Sequence, residues 1–546
     1  GYGDGGGGPT ELHLERARRF ENLSGSGRTN WSRVDDFFHR LEKRQDQLPI
    51  YQGELYLEYH RGTYTTQSEF KRLYRRAEQG LQMQEAVQVA LGKGPLPDAA
   101  WLRLLFAHFH DAIPGSSIRE VYAEMNPELQ AIGDRAYSEA LAEVDSQGEQ
   151  TSNVSAAFNS LPYDRVVTIN RDGQSSQVHL PALGSAQIET SADVEDPIVE
   201  ASENSLRHNR LTASFDSAGQ LSGLLIDGKP LELDRPPGFV LSPDDPVAFD
   251  AWDIDHHAAR SGDHVAAQLT LRVVENSPAR AILESLPVSV GASSELSVRY
   301  ILEAGSTHLK IEAIVNWQES HQLLRYVVPT RYRGRHARFG CPFGTIQRPQ
   351  LAGTEADEAM WEVPGSRWAA VQHDGGTDGL ALLAESKLGY AARDGILSVS
   401  LLRATKWPDA SADLGVHRMR IALGRLQLET TAENLSTSMA ADDLFCAPLL
   451  HGGAPLPALF QWQRLGSLNA SWAAPSFTNP DAYFIRLHET AGQTGTAILR
   501  LNHAAVTAAL VDFQEQPIAA LDVSAEQTIA IPYKPWQILT LQIIRP

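Results

Sequence analysis

The chain has 546 residues, and single hydrophobic cores stop growing near about 250–300 residues, so three or more domains are expected. Its 42% hydrophobic and 21% charged residues are typical of a globular protein. The net charge of −20 argues against nucleic acid and anionic membrane surfaces as partners, because both require basic patches. No apolar run reaches the ~18–20 residues of a membrane-spanning helix, and two cysteines are too few for a cysteine-based metal site.

The first segment is the glycine run "GYGDGGGGPT". It formally satisfies the pattern GxGxxG, but no strand precedes it and Pro9 follows it, which argues against a dinucleotide site. Two alternatives remain. Either the glycines let the backbone pass close to a substrate while Asp4 supplies a carboxylate, or the segment is a flexible terminus.

The apolar residues after this run recur at helical spacing, as in Val34, Phe37, Phe38 and Leu41. Strand-like alternation is absent. We therefore expect residues 1–48 to be the end of an α/β domain, and the chain to be a piece of a longer protein.

Residues 49–150 are predicted to form a three-helix bundle. The stretch "QSEFKRLYRRAEQGLQMQEAVQVALG" predicts a helix that ends at Gly92. The stretch "PLPDAAWLRLLFAHFHD" predicts a second helix that is capped by Asp98 and stopped by Pro114. The third helix is predicted in "SIREVYAEMNPELQAIGDRAYSEALAEVDSQ".

Gly53–Gln67, "GELYLEYHRGTYTTQ", places charged residues, a histidine and three tyrosines around one glycine turn. Aromatic rings interleaved with charged and hydroxyl groups suit sugar binding. They suit a buried seam between domains equally well, and the residues alone favour the seam.

The stretch "AHFHDAIPGSS" holds two histidines and an aspartate before a Pro-Gly break. The apolar stripe of the preceding helix consists of Trp101, Leu104, Leu105 and His108. This stripe predicts that His108 faces the core. His110 lies about 200° around the helix from His108, so the two cannot easily share a metal. His110 and Asp111 are therefore either part of a zinc site completed from elsewhere or a hydrogen-bonded pair at a helix end.

From residue 151 onward the pattern changes to short β-runs separated by Gly, Pro, Asn and Asp. We expect large antiparallel β-sandwiches, with a small β-domain and a larger sandwich over residues 151–450 and a last β-domain over residues 451–546. Within this region "FDAWDIDHH" (Phe249–His257) gathers acidic residues and histidines around a tryptophan. It suits a metal or sugar site, although a solvated loop is the more common outcome.

Taken together, these stretches resemble glycoside hydrolase family 38, the zinc-dependent α-mannosidases, and in particular its cytosolic-type branch. The segments that carry the resemblance are "GYGDGGGGPT", "GELYLEYHRGTYTTQ", "HFHDAIPGSSI", "FNSLPYDR", "FDAWDIDHH", "QRP" and "LLRATKWPDASADLGVH". They occur in order from residue 1 to about residue 420. The resemblance implies a multidomain α+β fold: the end of a β/α barrel-like catalytic domain, a helical bundle, and large β-sandwich domains.

The resemblance also implies a zinc-dependent retaining α-mannosidase that acts on α-mannoside oligosaccharides in the cytoplasm. It assigns Zn²⁺ to His110, sugar hydroxyls to Asp111, and the general acid/base role to Asp4. The remaining zinc ligands and the nucleophile are expected in an upstream segment. Further substrate contacts are expected from His60, Arg61, Tyr64, Asp250, Trp252 and Arg403. A homo-oligomer is an open expectation, and the rival hypotheses are a non-catalytic carbohydrate-binding protein and a scaffold fragment.

Overall fold

The computed structural model describes residues 7–147, 155–171, 174–188, 198–376 and 378–546. These residues form two compact units, Gly1–Tyr56 and Leu57–Pro546. The helices of the described residues are α1 (Glu11–Phe20), α2 (Val34–Glu42), α3 (Ser68–Leu91), α4 (Ala99–Phe106), α5 (Arg119–Asp145), α6 (His256–Arg260), α7 (Glu355–Ala359) and α8 (Thr437–Asp443).

The strands form in chain order from residue 156 to residue 544. The first half comprises β1 (Ala156–Phe158), β2 (Arg165–Arg171), β3 (Gln174–Leu180), β4 (Ser185–Gln187), β5 (Glu200–Ser202), β6 (Ser205–Arg207), β7 (Leu211–Phe215), β8 (Leu221–Ile226), β9 (Lys229–Pro230), β10 (Gly238–Pro243), β11 (Asp263–Val265), β12 (Leu271–Asn276), β13 (Arg280–Ser285), β14 (Val288–Val290), β15 (Ser294–Glu303), β16 (His308–Trp317) and β17 (Gln322–Pro329). The second half comprises β18 (His336–Cys341), β19 (Gly344–Pro349), β20 (Val363–Pro364), β21 (Trp368–Gln372), β22 (Gly379–Ala384), β23 (Gly389–Arg393), β24 (Ile396–Arg403), β25 (Gly415–Arg425), β26 (Leu449–His451), β27 (Phe460–Arg464), β28 (Leu468–Pro475), β29 (Ala482–Glu489), β30 (Gly495–Leu501), β31 (Thr507–Val511), β32 (Pro517–Leu521), β33 (Thr528–Tyr533) and β34 (Ile538–Ile544).

Within the unit Gly1–Tyr56 the described residues form α1, α2 and a short 3₁₀ turn, Gln45–Gln47, joined by irregular segments. Thr10 and His13 form a capping box at the start of α1. The helical spacing of Val34 and Phe37 predicted α2, and that helix is confirmed over Val34–Glu42. Neither α1 nor α2 buries a side chain within the described part of the chain.

The second unit begins with the predicted helices. α3 ends where the sequence indicated, because Gly92 adopts the left-handed conformation (φ 67°) that closes a helix. α4 begins after Asp98, but the Asp98 side chain makes no capping hydrogen bond, and the helix ends at Phe106 rather than continuing toward Pro114. α5 runs from Arg119 to Asp145, which confirms the third helix. No helix among the described residues is long and apolar enough to cross a membrane.

Antiparallel sheets make up the rest of the described chain. The two largest have the strand orders β11-β10-β17-β24-β23-β20 and β12-β13-β15-β16-β25-β22-β21-β18-β19. Every second side chain along β15 is buried and those between are half-buried or exposed, as the predicted strand pattern requires. The predicted order of helices followed by antiparallel β-structure is therefore confirmed.

The helices share a hydrophobic core with the last β-region. Met83 and Val87 of α3 and Val144 of α5 are in one buried cluster with Ile485 of β29 and Leu541 of β34. A single buried core therefore fixes α3 and α5 to the C-terminal sheet.

Candidate active site

The histidine–aspartate pair lies in a series of turns between α4 and α5. The side chain of His110 is 82% exposed, and its ring centroid lies 4.5 Å from that of Phe109. Its Nε2 atom is 3.7 Å from Oδ2 of Asp111, which is longer than a hydrogen bond. The imidazole is thus presented outward beside a half-exposed carboxylate.

The backbone of this loop is held from its inner side. The Tyr122 hydroxyl donates to the carbonyl oxygen of Asp111 at 3.1 Å and accepts from the amide of Ser117 at 3.0 Å. The Ser116 hydroxyl donates to Oδ1 of Asp111 at 3.0 Å. The buried Lys71 ammonium donates to the carbonyl oxygen of Ile113 at 2.9 Å. Asp111 therefore has one oxygen bonded to the loop and the other beside His110.

His108 corrects one prediction. The apolar stripe indicated that it faces the core, but its side chain is exposed. The cause is the early end of α4 at Phe106, because the helical spacing no longer applies two residues beyond the helix. The His108 ring instead lies 5.0 Å from the ring of Tyr74, with Nε2 2.5 Å from the tyrosine hydroxyl.

Arg403 joins the loop before α3 to the loop around residue 251. Its guanidinium is fully buried and donates from Nε to Asp244 at 2.6 Å. It also donates to the hydroxyl of Thr66 at 3.2 Å and to the carbonyl oxygen of Asp253 at 2.8 Å. Gly62 allows this approach, because a Cβ there would lie 2.9 Å from the Arg403 Cζ atom.

Arg61 is buried in the same way, with 2% of the residue exposed. Its guanidinium donates to both oxygens of Asp253 (3.1 and 3.3 Å) and to the carbonyl oxygen of Ala359. Its Cζ atom also lies 3.6 Å from the ring centroid of Trp361. Both guanidinium groups are engaged inside the protein, where they hold the loops in position. The expected substrate contacts of Arg61 and Arg403 stay predictions.

The start of α3 is capped from the β-domain. The carboxylate of Asp413 accepts the backbone amides of Gln67 at 2.9 Å and Ser68 at 2.6 Å, and Asp409 accepts the Gln67 side-chain amide at 2.8 Å. Acidic side chains stabilise a helix N-terminus because its amides lack partners. The seam predicted for Gly53–Gln67 is confirmed only over Arg61–Gln67, which are buried or half-buried, whereas Gly53–His60 are exposed or half-buried. Thr66 lies between two other loops. A Cβ on Gly115 would lie 2.7 Å from the Thr66 carbonyl carbon, and the Thr66 hydroxyl donates to the carbonyl oxygen of Ala251 at 3.0 Å.

Two buried lysines line this junction. Burial lowers the pKa of Lys71 to about 7, because desolvation of the ammonium outweighs its attraction to Asp413. Burial likewise lowers the pKa of Lys387 to about 8. The sequence analysis missed both lysines, together with Asp413 and Ser116. The available signal was a lysine among the apolar positions of α3, directly after a phenylalanine, and two aspartates four residues apart beside a Trp-Pro turn.

The remaining site residues, apart from Asp4, lie in the loops before α3 and after β10. His60 is half-buried, and its Nδ1 atom lies 2.9 Å from the Glu58 carbonyl oxygen. Tyr64 is half-buried in the short 3₁₀ turn Arg61–Tyr64. Asp250 and Trp252 lie in the loop after β10, and both are half-buried.

Asp4, the proposed acid/base, lies outside the described residues. Within the described ranges no group of three or more His, Cys, Asp or Glu side chains is arranged to hold a metal ion. His110 is the candidate zinc ligand among these residues, and that assignment stays a prediction.

Comparison with protein-family models assigns these loops to known domains. Residues 58–142 match the α-mannosidase middle domain, residues 206–411 match the glycosyl hydrolases family 38 C-terminal domain, and residues 476–541 match the C-terminal β-sandwich domain of the same family. The chain belongs to glycoside hydrolase family 38. The resemblance inferred from the sequence is thereby confirmed.

Relatives agree with this assignment over most of the chain. The human protein named alpha-mannosidase 2C1 is 30% identical over 582 residues, covering 100% of this chain and 55% of its own length. The Saccharomyces cerevisiae alpha-mannosidase is 27% identical and covers 78% of this chain and 41% of its own length. The chain spans about half the length of the curated relatives it matches.

The fold agrees with a solved structure of the family. The crystal structure of an alpha-mannosidase from Enterococcus faecalis V583 superposes with a TM-score of 0.73 at 16% identity, covering 94% of this chain and 72% of that one. The α-mannosidase middle-domain match contains His60, His110 and Asp111, and the family 38 C-terminal-domain match contains Asp250 and Arg403. The candidate residues in the described part of the chain therefore come from both matched regions.

Proposed function

We propose that this chain forms the helical and β-sandwich part of a zinc-dependent, retaining α-mannosidase and supplies one zinc ligand, His110. The observation that carries the proposal is the His110–Asp111 pair, which is exposed on a loop whose backbone is bonded from behind. Family membership supports the choice of reaction. An upstream segment, of which residues 1–48 are the proposed end, would supply the rest of the catalytic domain.

The residues present fit a zinc ion. The His110 imidazole is exposed, and no hydrogen bond engages its ring nitrogens in the part of the chain that the structure describes. A neutral imidazole beside a carboxylate is a common zinc-ligand arrangement. When bound, zinc would hold sugar hydroxyls and stabilise the distorted ring.

Asp111 is proposed to orient the sugar. The Ser116 hydroxyl occupies its Oδ1 atom, which fixes the rotation of the carboxylate and leaves Oδ2 to accept sugar hydroxyls. Tyr122 and Lys71 hold the loop backbone, so the carboxylate is positioned before substrate arrives.

The two carboxylic groups of a retaining glycosidase lie about 5–5.5 Å apart on either side of the scissile bond. We propose that Asp4 is the acid/base and that the nucleophile lies upstream. The substrate is proposed to be an α-mannoside oligosaccharide and the location the cytoplasm, as the resemblance to the cytosolic-type branch implies. Homo-oligomerisation stays a prediction.

The test uses the chain together with its natural upstream segment. His110→Ala should remove bound zinc and hydrolysis of an aryl α-mannoside, because one of the three protein ligands typical of a catalytic site is lost. His108→Ala is the matched control: it is also an exposed histidine of the same loop, and zinc content should be unchanged. Zinc at full stoichiometry in His110→Ala would contradict the assignment.

A further inference from the structure

An exposed aromatic pair lies beside the candidate site. The rings of Trp252 and Trp407 have centroids 5.3 Å apart at 35°, and Trp407 is 61% exposed. Tyr59 and Phe249 form a second pair with centroids 5.9 Å apart, and both are more than half exposed. Large aromatic side chains are seldom left in water without a binding role when they cluster in this way.

The loop that carries Trp407 is held rigidly. One carboxylate oxygen of Asp250 accepts the consecutive backbone amides of Lys406 at 2.7 Å and Trp407 at 2.9 Å. The same oxygen lies 3.2 Å from Nε2 of His321. Asp250 therefore fixes the backbone at Lys406 and Trp407, which is a different role from the substrate contact that the resemblance implied. A side chain on a fixed backbone loses less conformational freedom when a ligand stacks on it.

This aromatic pair is connected to the His110–Asp111 loop through Thr66. The hydroxyl of Thr66 donates to Ala251, the residue before Trp252, and the carbonyl of Thr66 packs against Gly115. One residue thus separates the loop of the aromatic pair from the loop of the proposed zinc ligand.

We propose that Trp407, backed by Trp252, is a stacking subsite for a second pyranose ring of the α-mannoside. The inference rests on the proposed function for the first ring at Asp111. A pyranose has an apolar C–H face that packs on an indole and hydroxyls that stay in water. The chain's net charge of −20, with Asp245 exposed close to His321, disfavours the phosphates of a nucleic acid as the occupant.

The experiment compares two substrates in the chain with its natural upstream segment. α-Mannosyl fluoride has one sugar and a leaving group too small to stack, whereas a linear α-mannotriose can reach Trp407. Trp407→Ala should lower kcat/KM for the trisaccharide about tenfold relative to the fluoride, the usual size of a lost aromatic contact. Trp407→Phe should recover most of it, because the phenyl ring still stacks.

Trp536→Ala is the matched control, since it removes a comparably exposed tryptophan (49%) from the C-terminal β-region. It should leave kcat/KM unchanged for both the trisaccharide and the fluoride. Equal losses on both substrates in Trp407→Ala, or no loss on either, would overturn the subsite. If the unmodified protein hydrolyses neither substrate, the proposed function fails and binding decides the subsite. Saturation-transfer NMR with α-mannotriose should then show contact in the unmodified protein and none in Trp407→Ala. Absence of contact in both would refute the subsite.

Discussion

Removing Arg61 should destabilise the unit Leu57–Pro546 more than any exposed arginine does. The Arg61→Met change keeps most of the side-chain volume but leaves the Asp253 carboxylate, which is 5% exposed, without its cation. Breaking a buried ion pair on one side typically costs about 3–5 kcal/mol, since the remaining charge stays desolvated. The change also removes the cation–π contact with Trp361 and leaves the Ala359 carbonyl with no guanidinium donor. We therefore expect a loss of about 3–5 kcal/mol.

Urea unfolding of the chain, monitored by tryptophan fluorescence, measures this loss of stability. Hydrogen exchange of the backbone amides in residues 60–67 measures the local effect. Arg260→Met is the matched control, because the ion pair of Arg260 with Glu358 is about half exposed on both sides and should contribute about 0.2–1 kcal/mol. Arg61→Met combined with Asp253→Asn should recover part of the stability, since the unpaired charge is removed. The reasoning fails if Arg61→Met is no more destabilising than Arg260→Met.

Two other changes test the packing of the helical bundle and of the His110 loop. Burial raises the pKa of Glu85 to about 7 although two indoles bond its carboxylate. The folded protein therefore favours the protonated Glu85 carboxyl. This contribution to the free energy of unfolding, roughly 3 kcal/mol, is full below the ordinary pKa near 4.5 and is lost as the pH rises through 7. Glu85→Gln should weaken the dependence of the melting temperature on pH between pH 5 and 8. An unchanged dependence would assign the effect to another group. Gly115→Ala should lower stability by more than about 1 kcal/mol and displace Asp111, because φ is 89° and the new Cβ meets Thr66. Gly375→Ala, at φ 67° with open space around it, should be milder in calorimetry, and equal effects would contradict the role of that contact.

Local patterns predicted the elements whose cause is local. α3 ends at Gly92 because glycine readily adopts a left-handed conformation, and this signal lies in a single residue. The alternation along β15 and the position of α4 after Asp98 depend in the same way on neighbours in the chain. The end of α4 could not be predicted, because the apolar spacing continues past Phe106 while the backbone turns.

The site residues divide by the same criterion. The pattern marked His110 and Asp111 as a candidate pair before a Pro-Gly break, and only the resemblance to family 38 assigned zinc to His110. The burial of Arg61 could not be foreseen, because its partner Asp253 lies 192 residues away in the chain. Arg403 is bonded to Thr66 across 337 residues. A sequence pattern shows that a charged residue is present, but only the tertiary structure shows whether solvent or another charge is its partner.

The cap on α3 shows that the position of the His110 loop depends on both the helical bundle and the β-domain. The side chain of Gln67, which precedes the helix, makes no capping bond, and the amides there are satisfied by Asp413, 346 residues later. α3 also carries Lys71, whose ammonium holds the carbonyl of Ile113 in the His110 loop. The position of the proposed zinc ligand thus depends on a carboxylate of the β-domain acting through the first turn of a helix. Because the first-turn amides would otherwise lack partners, the β-domain and the helical bundle stabilise this loop jointly.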